Sequence, residues 1–523
     1  MASTVADYII VGGGLTGCAI ASRLASSSSA PSVVLVEAGP DPTGEPATDT
    51  VLAGLSLMGG KLDYSYQSEP VTDTASRVHT LPAGKMLGGG SMLNYAGWLV
   101  ADAKDYDDWG ESIGDERWSY KGLKPWLEKT ERQFKVSAIS EDVERKYPLR
   151  EPVAGAWKEL GLERTTGENG SMTGLAELKE NIRPDGVRQP SYQAYPLDKV
   201  VLLTSTKVDR ILFEDRKAHG VQLDDGRQLI ANKEVIICAG AYRTPQLLLL
   251  SGIGPRDLLS KNEIPLLHHS PDVGQNLFDH FAVYMAFKLR DPSQNLALGS
   301  PGWTTPSLFK GLPYDWVANE PIPKEVIQQY PSDSKFANRN LAEVLTVYVP
   351  PGIPGIPFDG SHIATSTMLL LPTSRGTVSL SSSSPNDPPK IQPNYLSTAL
   401  DRDVLKYHAR RTLKMVLGTK SLSEYVESET PPSGPGLDGL VPLTLDVSDG
   451  VLQERIERSG MQHHHSGGTA AMGKVVDAEG KVFGVEGLRI ADASVLPLPL
   501  GGHPQATLYA MAEQIASFIV GRD

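Results

Sequence analysis

The stretch Tyr8-Ile9-Ile10-Val11-Gly12-Gly13-Gly14-Leu15-Thr16-Gly17 decides the fold of this chain. It joins an apolar run, typical of a buried strand, to a Gly-x-Gly-x-x-Gly turn, and a second apolar run follows at Val33–Val36. This order is the strand–helix–strand fingerprint of dinucleotide binding. Gly12 permits the tight turn, Gly14 lets a pyrophosphate approach the backbone, and Gly17 lets the helix lie close to the strand.

Glu37 closes the second apolar run, twenty residues after Gly17. Its carboxylate can accept hydrogen bonds from both hydroxyls of a ribose, and it would repel a 2′-phosphate, which disfavours NADP. The N-terminus of the intervening helix supplies N–H groups and a partial positive charge to the phosphates. The pattern leaves FAD and NAD open as ligands, and a glycine-rich turn in an unrelated α/β protein remains the structural alternative.

Length and composition indicate a multidomain enzyme. A chain of 523 residues is long enough for about two to four domains. The net charge of −13 argues against a nucleic-acid partner, because nothing would neutralise phosphates over a large surface. No apolar stretch reaches about 18 residues without a charge or a turn former, so no membrane span is predicted.

The two cysteines and the start of the chain bear on location. Cys18 and Cys238 lie in apolar segments of the predicted nucleotide fold, which favours buried thiols over a disulfide. The first strand begins by Asp7, which leaves no room for a secretory signal before the domain. We therefore expect a cytoplasmic protein.

Further along the chain, the pattern of a nucleotide fold is interrupted and then resumes. Residues 40–80 are irregular and are predicted to extend over the ligand. Residues 281–455 differ in character, with Pro-rich loops, and indicate a second domain inserted into the first. Outside these regions the sequence predicts strands at 200–204, 208–213, 220–223, 234–238 and 488–490 and helices at 18–28, 244–251 and 506–520; inside the insertion it predicts a strand at 376–380 and a helix at about 397–417.

Two longer motifs carry a family resemblance. Gly84-Lys-Met-Leu-Gly-Gly-Gly-Ser-Met-Leu-Asn94-Tyr-Ala-Gly-Trp98 resembles the first signature of the glucose–methanol–choline (GMC) flavoprotein oxidoreductases, and Gly240-Ala-Tyr-Arg-Thr-Pro-Gln-Leu-Leu-Leu-Leu-Ser-Gly-Ile-Gly254 resembles the second. Shorter matches include Val273-Gly-Gln-Asn-Leu-Phe-Asp-His280 and Ile490-Ala-Asp-Ala-Ser494. The resemblance spans nearly the whole chain and is weakest at about 135–180 and 295–360.

The resemblance implies an α/β (α+β overall) architecture, with a Rossmann-like FAD-binding domain and an inserted substrate domain built on an antiparallel sheet flanked by helices. We assign residues 1–150, 187–285 and 458–523 to the FAD-binding domain, and residues 151–186 and 286–457 to the substrate-binding domain.

The resemblance also implies a set of FAD contacts. Glycines in the segment after Gly84 let backbone amides approach the flavin and the pyrophosphate. Some members carry a histidine just before the equivalent of Asn94 that bonds covalently to the flavin, but Leu93 stands there, so non-covalent FAD is expected. The expected cofactor-binding residues are Gly12, Gly14, Leu15, Thr16, Gly17, Glu37, Ala38, Met86, Gly88, Gly90, Asn94, Tyr95, Ala96, Gly97, Val208, Ala239, Asp492, Ala493, Pro504 and Gln505.

Histidines near the C-terminus are the candidate catalytic groups. Alignment through Gly468-Thr469 places His465 at the family's catalytic base, and His503 at its second active-site position. A neutral imidazole can accept the hydroxyl proton of an alcohol while flavin N5 accepts the hydride. We expect His465 to be the base and His503 to hydrogen-bond the same oxygen; because coupled histidines share their titration, the reverse assignment stays open. A metal site is a poor alternative for the run His463–His465, because only alternate side chains of an extended backbone share a side and no third ligand is evident.

Substrate and electron acceptor are less defined. Neither a carboxylate cluster for a cation nor a Lys/Arg cluster for an acid is visible, so an uncharged alcohol is expected, with aromatic alcohols and secondary-metabolite intermediates among the candidates. O2 or a quinone-like species would reoxidise the flavin. A non-redox lyase or cyclase that uses the same histidines for acid–base chemistry is the alternative. The candidate pocket walls are Tyr64, Tyr66, Tyr95, Trp98, Trp316, Tyr330 and residues 350–357.

Overall fold

A computed structural model describes residues 4–521 of the chain. Residues 1–3 and 522–523, which belong to the predicted FAD-binding domain, lie outside the described residues. The chain forms two large sheets, and each sheet has its own hydrophobic core. The predicted fold class, a Rossmann-like unit combined with an antiparallel sheet flanked by helices, is confirmed.

The first sheet is centred on Thr4–Val11, which lies parallel between Val33–Val36 and Gln228–Ile237. These strands are apolar on both faces because helices cover both sides of a parallel sheet. Helix Leu15–Ala25 makes the predicted crossover and packs beside the C-terminal helix Pro504–Val520. The sheet is completed by parallel Val201–Leu203 and Leu488–Ile490 and by antiparallel Lys217–Leu223 and Val208–Glu214.

The second sheet is antiparallel apart from its edge pair Arg164–Thr165 and Gly174–Glu177. Helix Ala399–Gly418 packs on one face, and the opposite face contributes to the large cavity of the molecule. The strands follow the order Val426–Thr430, Phe281–Leu289, His362–Leu369, Ala342–Val347, Tyr314–Asn319, Gly174–Glu177 and Arg164–Thr165, with Met461–Gln462 beside Phe281–Leu289.

Smaller elements surround the two sheets. The remaining α-helices are Val51–Gly54, Gly90–Leu93, Ala103–Ile113, Tyr120–Gln133, Arg150–Glu159, Ser191–Ala194, Gly240–Leu250, Arg256–Lys261, Lys324–Ile327, Lys420–Ser423 and Asp449–Ser459. The remaining strand pairs are Tyr66–Gln67 with Thr80–Leu81, Ser137–Ala138 with Lys179–Glu180, Ile253–Gly254 with His268–His269, and Thr377–Ser379 with Lys390–Gln392.

Three features of the structure can be compared with the sequence predictions: the cysteines, the domain boundary and the helix lengths. Both cysteines are buried free thiols, as predicted. Strand Phe281–Leu289 of the second sheet spans the predicted boundary at residue 285, and the two-domain division stays a proposal. Across residues 4–521, no helix is both long and apolar enough to cross the hydrocarbon core of a membrane.

Candidate active site

One cavity of about 860 Å³ extends from the Gly-x-Gly-x-x-Gly turn to the C-terminal histidines. Residues of the irregular 40–80 region, including Leu55 and Met58, line part of it. The cavity brings together most of the residues predicted to bind the cofactor. Those that line it are Gly12, Gly14, Leu15, Thr16, Glu37, Ala38, Gly90, Asn94, Tyr95, Ala96, Gly97, Val208, Ala239, Asp492, Ala493, Pro504 and Gln505.

The glycine turn makes an open cradle at one end of the cavity. Gly12 has a φ of +105°, which favours glycine, and a Cβ on Gly14 would meet no protein atom within 4 Å. The helix that starts at Leu15 has no side chain capping its N-terminus, so its first N–H groups are available to an anion. The site thus fits the diphosphate of a dinucleotide.

Glu37 lies behind this cradle and is buried. Its Oε2 accepts a hydrogen bond from the Gly13 N–H at 2.8 Å, and its Oε1 accepts one from the Gly39 N–H at 2.7 Å. Burial raises the pKa of Glu37 to about 7, against these backbone hydrogen bonds, which lower it. Each carboxylate oxygen keeps a second lone pair for a ribose hydroxyl.

Three predicted cofactor residues do not line the cavity. A Cβ on Gly17 would overlap the carbonyl oxygen of Gly12, so Gly17 sets the helix-to-strand approach from behind the cradle. Met86 is fully buried in a small apolar cluster with Leu57 and Met92. Gly88 donates its N–H to the Gly13 carbonyl at 2.7 Å, so it braces the turn. These residues lie one layer behind the cavity wall because the neighbouring loops pack on each other there.

A hydrogen-bonded relay fixes the middle of the cavity. The Asn94 Nδ2 group donates to Gln505 Oε1 at 3.0 Å, and Gln505 Nε2 donates to the Gly97 carbonyl at 2.5 Å. The buried Arg188 guanidinium donates to Asn94 Oδ1 at 2.8 Å and so sets the orientation of that amide. A Cβ on Gly97 would lie 3.1 Å from the Tyr314 hydroxyl and 3.6 Å from His503 Nδ1, which explains a glycine beside the histidines.

His465 and His503 meet at the far end of the cavity, with ring centroids 5.0 Å apart. The predicted pair is therefore close enough to contact one small substrate. His503 precedes helix Pro504–Val520, and its Nε2 lies 2.7 Å from Glu343 Oε1. Glu343 is buried on strand Ala342–Val347, so this contact joins the second sheet to the start of the C-terminal helix.

His465 has a different partner. Its Nδ1 lies 2.8 Å from the Nδ1 of His280, and the two rings are nearly perpendicular. The Asp279 carboxylate accepts the His465 backbone N–H at 2.7 Å and so holds the loop that carries the ring. Burial raises the pKa of Asp279 to about 7. His280 and Asp279 precede strand Phe281–Leu289, which anchors both.

Burial keeps the imidazoles of His280 and of the run His463–His465 neutral. Burial lowers the pKa of His465 and of His463 well below the ordinary imidazole value, and the other histidines add to the effect. Burial likewise lowers the pKa of His280 to about 3 and that of His464 to about 4. A carboxylate faces His503, whereas imidazoles face His465, so the two rings are electrostatically unlike.

The conformation of the histidine run differs from the extended backbone assumed in the sequence analysis. His464 has a φ of +62°, and all three side chains, His463 to His465, line the cavity. The left-handed residue breaks the alternation, which explains why adjacent side chains reach one space. Within residues 4–521, no group of three His, Cys, Asp or Glu side chains is arranged to hold a metal ion.

The predicted pocket walls are partly wrong. Tyr64, Tyr66 and Tyr95 line the cavity, as do Pro351 and Gly352 of the Pro-rich stretch. Three other aromatic residues do not border it, because each is held elsewhere by its own packing. Trp98 packs in the core against Phe134 and Tyr509, Trp316 lies between the Arg150 and Arg164 guanidiniums, and the Tyr330 hydroxyl binds Asp403.

Sequence reasoning missed the roles of His280, Asp279 and Glu343. The first two stand inside the motif Val273–His280, but nothing in its spacing indicates a contact with a residue 185 positions later. Glu343 lies in the weakly matching 295–360 segment. Its one signal is an acid inside the apolar run Ala342–Val347, since a buried acid requires a partner.

A dinucleotide cradle that opens onto paired imidazoles defines an oxidoreductase of the nucleotide-dependent class. Two family models, both described as GMC oxidoreductase, match residues 6–282 and 372–512. The chain belongs to the GMC oxidoreductase family, and the predicted identification is confirmed.

Individual relatives cover nearly the whole chain. The GMC-type oxidoreductase acuG of Aspergillus aculeatus is 39% identical over 531 residues, 99% of each chain. An oxygen-dependent choline dehydrogenase of Citrobacter koseri is 30% identical and covers 99% of this chain and 95% of its own. Formate oxidase of Aspergillus oryzae, whose structure was solved to follow FAD modification, superimposes with a TM-score of 0.88 at 27% identity over 99% and 98% of the two chains. Family membership and this FAD-containing neighbour support FAD as the cofactor.

Proposed function

We propose that this protein oxidises an uncharged alcohol to an aldehyde or ketone, with bound FAD as the electron acceptor and His465 as the base. The observation that carries the proposal is the pair of facing imidazoles at 5.0 Å in a cavity continuous with the dinucleotide cradle. When bound, FAD supplies an acceptor for the hydride that leaves the carbinol carbon.

His465 is suited to accept the hydroxyl proton. Its depressed pKa keeps the ring neutral at neutral pH, which is the protonation state of a general base. Its Nδ1 lies 2.8 Å from the Nδ1 of His280, and we assign the acceptor role in this hydrogen bond to His280. His465 then donates from Nδ1 and keeps Nε2 free for the substrate.

His503 holds the same substrate oxygen. Glu343 accepts from His503 Nε2, which leaves Nδ1 on the side of Gly97 and the cavity. The carboxylate fixes the orientation of this ring, so that Nδ1 faces the substrate oxygen and positions it beside His465. The asymmetry between Glu343 and His280 supports His465 as the base and His503 as the stabilising group.

The walls around the histidines support an uncharged substrate. Glu37 and Asp492, the carboxylates that line the cavity among residues 4–521, both lie at its cofactor end. Tyr314 stands near His503 instead, since a Cβ on Gly97 would lie 3.1 Å from the Tyr314 hydroxyl and 3.6 Å from His503 Nδ1. A quaternary ammonium such as choline would find no counter-ion there, so we expect benzyl alcohol to be a better substrate than choline.

Anaerobic mixing tests the proposal. Benzyl alcohol should bleach the long-wavelength flavin band, and His465→Ala should keep its flavin but reduce it far more slowly. Product formation with the flavin unbleached would support the non-redox alternative and overturn the oxidation. Loss of flavin from His465→Ala would show a structural residue instead of a base.

Three further expectations stay open to experiment. Leu93 lines the cavity and has no nucleophile, so we propose that FAD is bound non-covalently. Acid precipitation should release the yellow colour into the supernatant; colour retained in the pellet would contradict this. The electron acceptor, O2 or a quinone-like species, stays a prediction, and so does a cytoplasmic location. Peroxide measured during turnover with and without oxygen tests O2 as the acceptor.

A further inference from the structure

One face of the second sheet presents polar groups to the cavity beyond the reacting histidines. Tyr284 on strand Phe281–Leu289 stands directly opposite Ser366 on strand His362–Leu369, and Ser366 is also opposite Leu345. All three line the cavity. Because side chains alternate along a strand, the neighbouring Thr365 points to the other face, where helix Ala399–Gly418 packs.

Ser366 and His463, which both line the cavity, each have a polar atom without a hydrogen-bond partner. The Ser366 hydroxyl is buried and unpaired, and so is Nδ1 of His463. The His463 ring stacks on Tyr284, with centroids 6.1 Å apart and planes within 5°. Leaving a buried polar group unsatisfied is unfavourable, and a ligand atom at this place would remove that cost.

The surroundings define what that ligand atom can be. Apart from the histidines, the neighbouring lining residues are the uncharged Leu312, Tyr314, Leu345 and Val347. Burial lowers the pKa of His463, which keeps this ring neutral, and no Lys or Arg of the cavity wall belongs to this sheet. A carboxylate would therefore be buried without a cation, which is unfavourable. A neutral oxygen can both accept from Ser366 and donate to an imidazole nitrogen.

We infer that Ser366, Tyr284 and His463 form a subsite for a second, neutral oxygen of the substrate: a phenol or other hydroxyl group separate from the reacting carbinol. This rests on the proposed function for the position of the carbinol at His465 and His503. The ring centroid of His463 lies 5.2 Å from that of His465 and 6.2 Å from that of His503, so the subsite adjoins the reacting end of the cavity. The substrate class is an oxygenated, uncharged alcohol.

Paired substrates of equal shape test the subsite. The wild-type enzyme should show a kcat/KM about tenfold or more higher for 3- or 4-hydroxybenzyl alcohol than for the matching methylbenzyl alcohol, as expected for one recovered hydrogen bond. Ser366→Ala should remove this preference. Thr365→Val is the matched control, since it removes an equally unpaired hydroxyl from the other face and should keep the preference.

Equal rates for both wild-type substrates, or a preference that survives Ser366→Ala, would overturn the subsite. Should Ser366→Ala fail to fold, Tyr284→Phe keeps the ring on His463 and should also reduce the preference. Binding of 4-hydroxybenzaldehyde and 4-methylbenzaldehyde, followed by the change in flavin absorbance, needs no turnover. If binding shows a preference that depends on Ser366 but no alcohol is oxidised, the proposed function is wrong and the subsite is supported. If alcohols are oxidised without any such preference, the proposed function is supported and the subsite is wrong.

Discussion

The Nδ1 atoms of His280 and His465 lie 2.8 Å apart, so one of these two neutral rings donates a proton and the other accepts it. This contact fixes which nitrogen of His465 faces the substrate, because the other nitrogen is engaged. The neighbouring Asp279 carboxylate holds the His465 backbone at 2.7 Å. Both constraints come from the two residues before strand Phe281–Leu289, so the base is positioned by the second sheet.

His280→Ala should therefore lower kcat while the enzyme keeps its flavin. Loss of a hydrogen-bond partner that orients a functional imidazole typically costs about 10–100-fold, and the ring would also sample the wrong tautomer. KM should change much less than kcat, because His280 does not line the cavity. His280→Gln, which retains an acceptor, should recover part of the rate. Equal kcat for wild type and His280→Ala would refute the positioning role.

Glu343→Gln should slow the reaction through His503. Glutamine keeps the size of the side chain but removes the charge opposite His503 Nε2, so a weaker hydrogen bond orients this ring. Hydrogen bonds to a charged group are worth about 1.5–3 kcal/mol, which predicts a fall in kcat of about tenfold or more. Stopped-flow flavin reduction measures it. Glu343→Asp keeps the charge but moves it away from the ring, so its kcat should lie between those of wild type and Glu343→Gln. A fully active Glu343→Gln would contradict the role of the Glu343–His503 contact.

The sequence predicts the cofactor cradle better than it predicts the reacting end. Gly12, Gly14 and Gly17 follow a local steric logic, so their positions are readable from spacing. The partners of the histidines are distant in sequence: Glu343 lies 160 residues from His503, and His280 lies 185 residues from His465. The prediction that Trp98 lines the substrate pocket is wrong for the same reason. The packing that holds Trp98 in the core depends on Phe134 and Tyr509, which are distant in sequence.

FAD affinity should depend on pH through Glu37. Burial raises the pKa of Glu37 to about 7 in the chain without ligand, and we propose that ribose hydroxyls donate to its ionised form. Binding then favours the deprotonated carboxylate. Affinity should be greatest above pH 7 and should fall by up to about tenfold per pH unit below it. Glu37→Gln should bind FAD more weakly and with a flatter pH dependence between pH 5 and 8. The same pH slope in both proteins, measured by fluorescence titration, would assign the titration to another group.

Gly14→Ala and Gly17→Ala should separate cofactor binding from folding. A Cβ on Gly14 meets no protein atom within 4 Å, and its φ of −79° suits alanine, so this variant should fold with an unchanged melting temperature. The methyl group would occupy the space of the pyrophosphate, and FAD should be lost. A Cβ on Gly17 would instead overlap the Gly12 carbonyl oxygen and lie 3.2 Å from the Cys238 Cβ. Such overpacking costs about 1–3 kcal/mol or more, so Gly17→Ala should melt earlier even without FAD.

Thermal denaturation of both apoproteins, with flavin content measured in parallel, distinguishes these effects. Gly14→Ala that retains stoichiometric FAD would show that the pyrophosphate does not approach this backbone. Gly17→Ala with wild-type stability would show that the helix Leu15–Ala25 can move away from the strand at little cost. The expected pattern, a stable apoprotein beside an unstable one, would assign the second and third glycines of the fingerprint to different physical causes: space for the ligand at Gly14 and space for the backbone at Gly17.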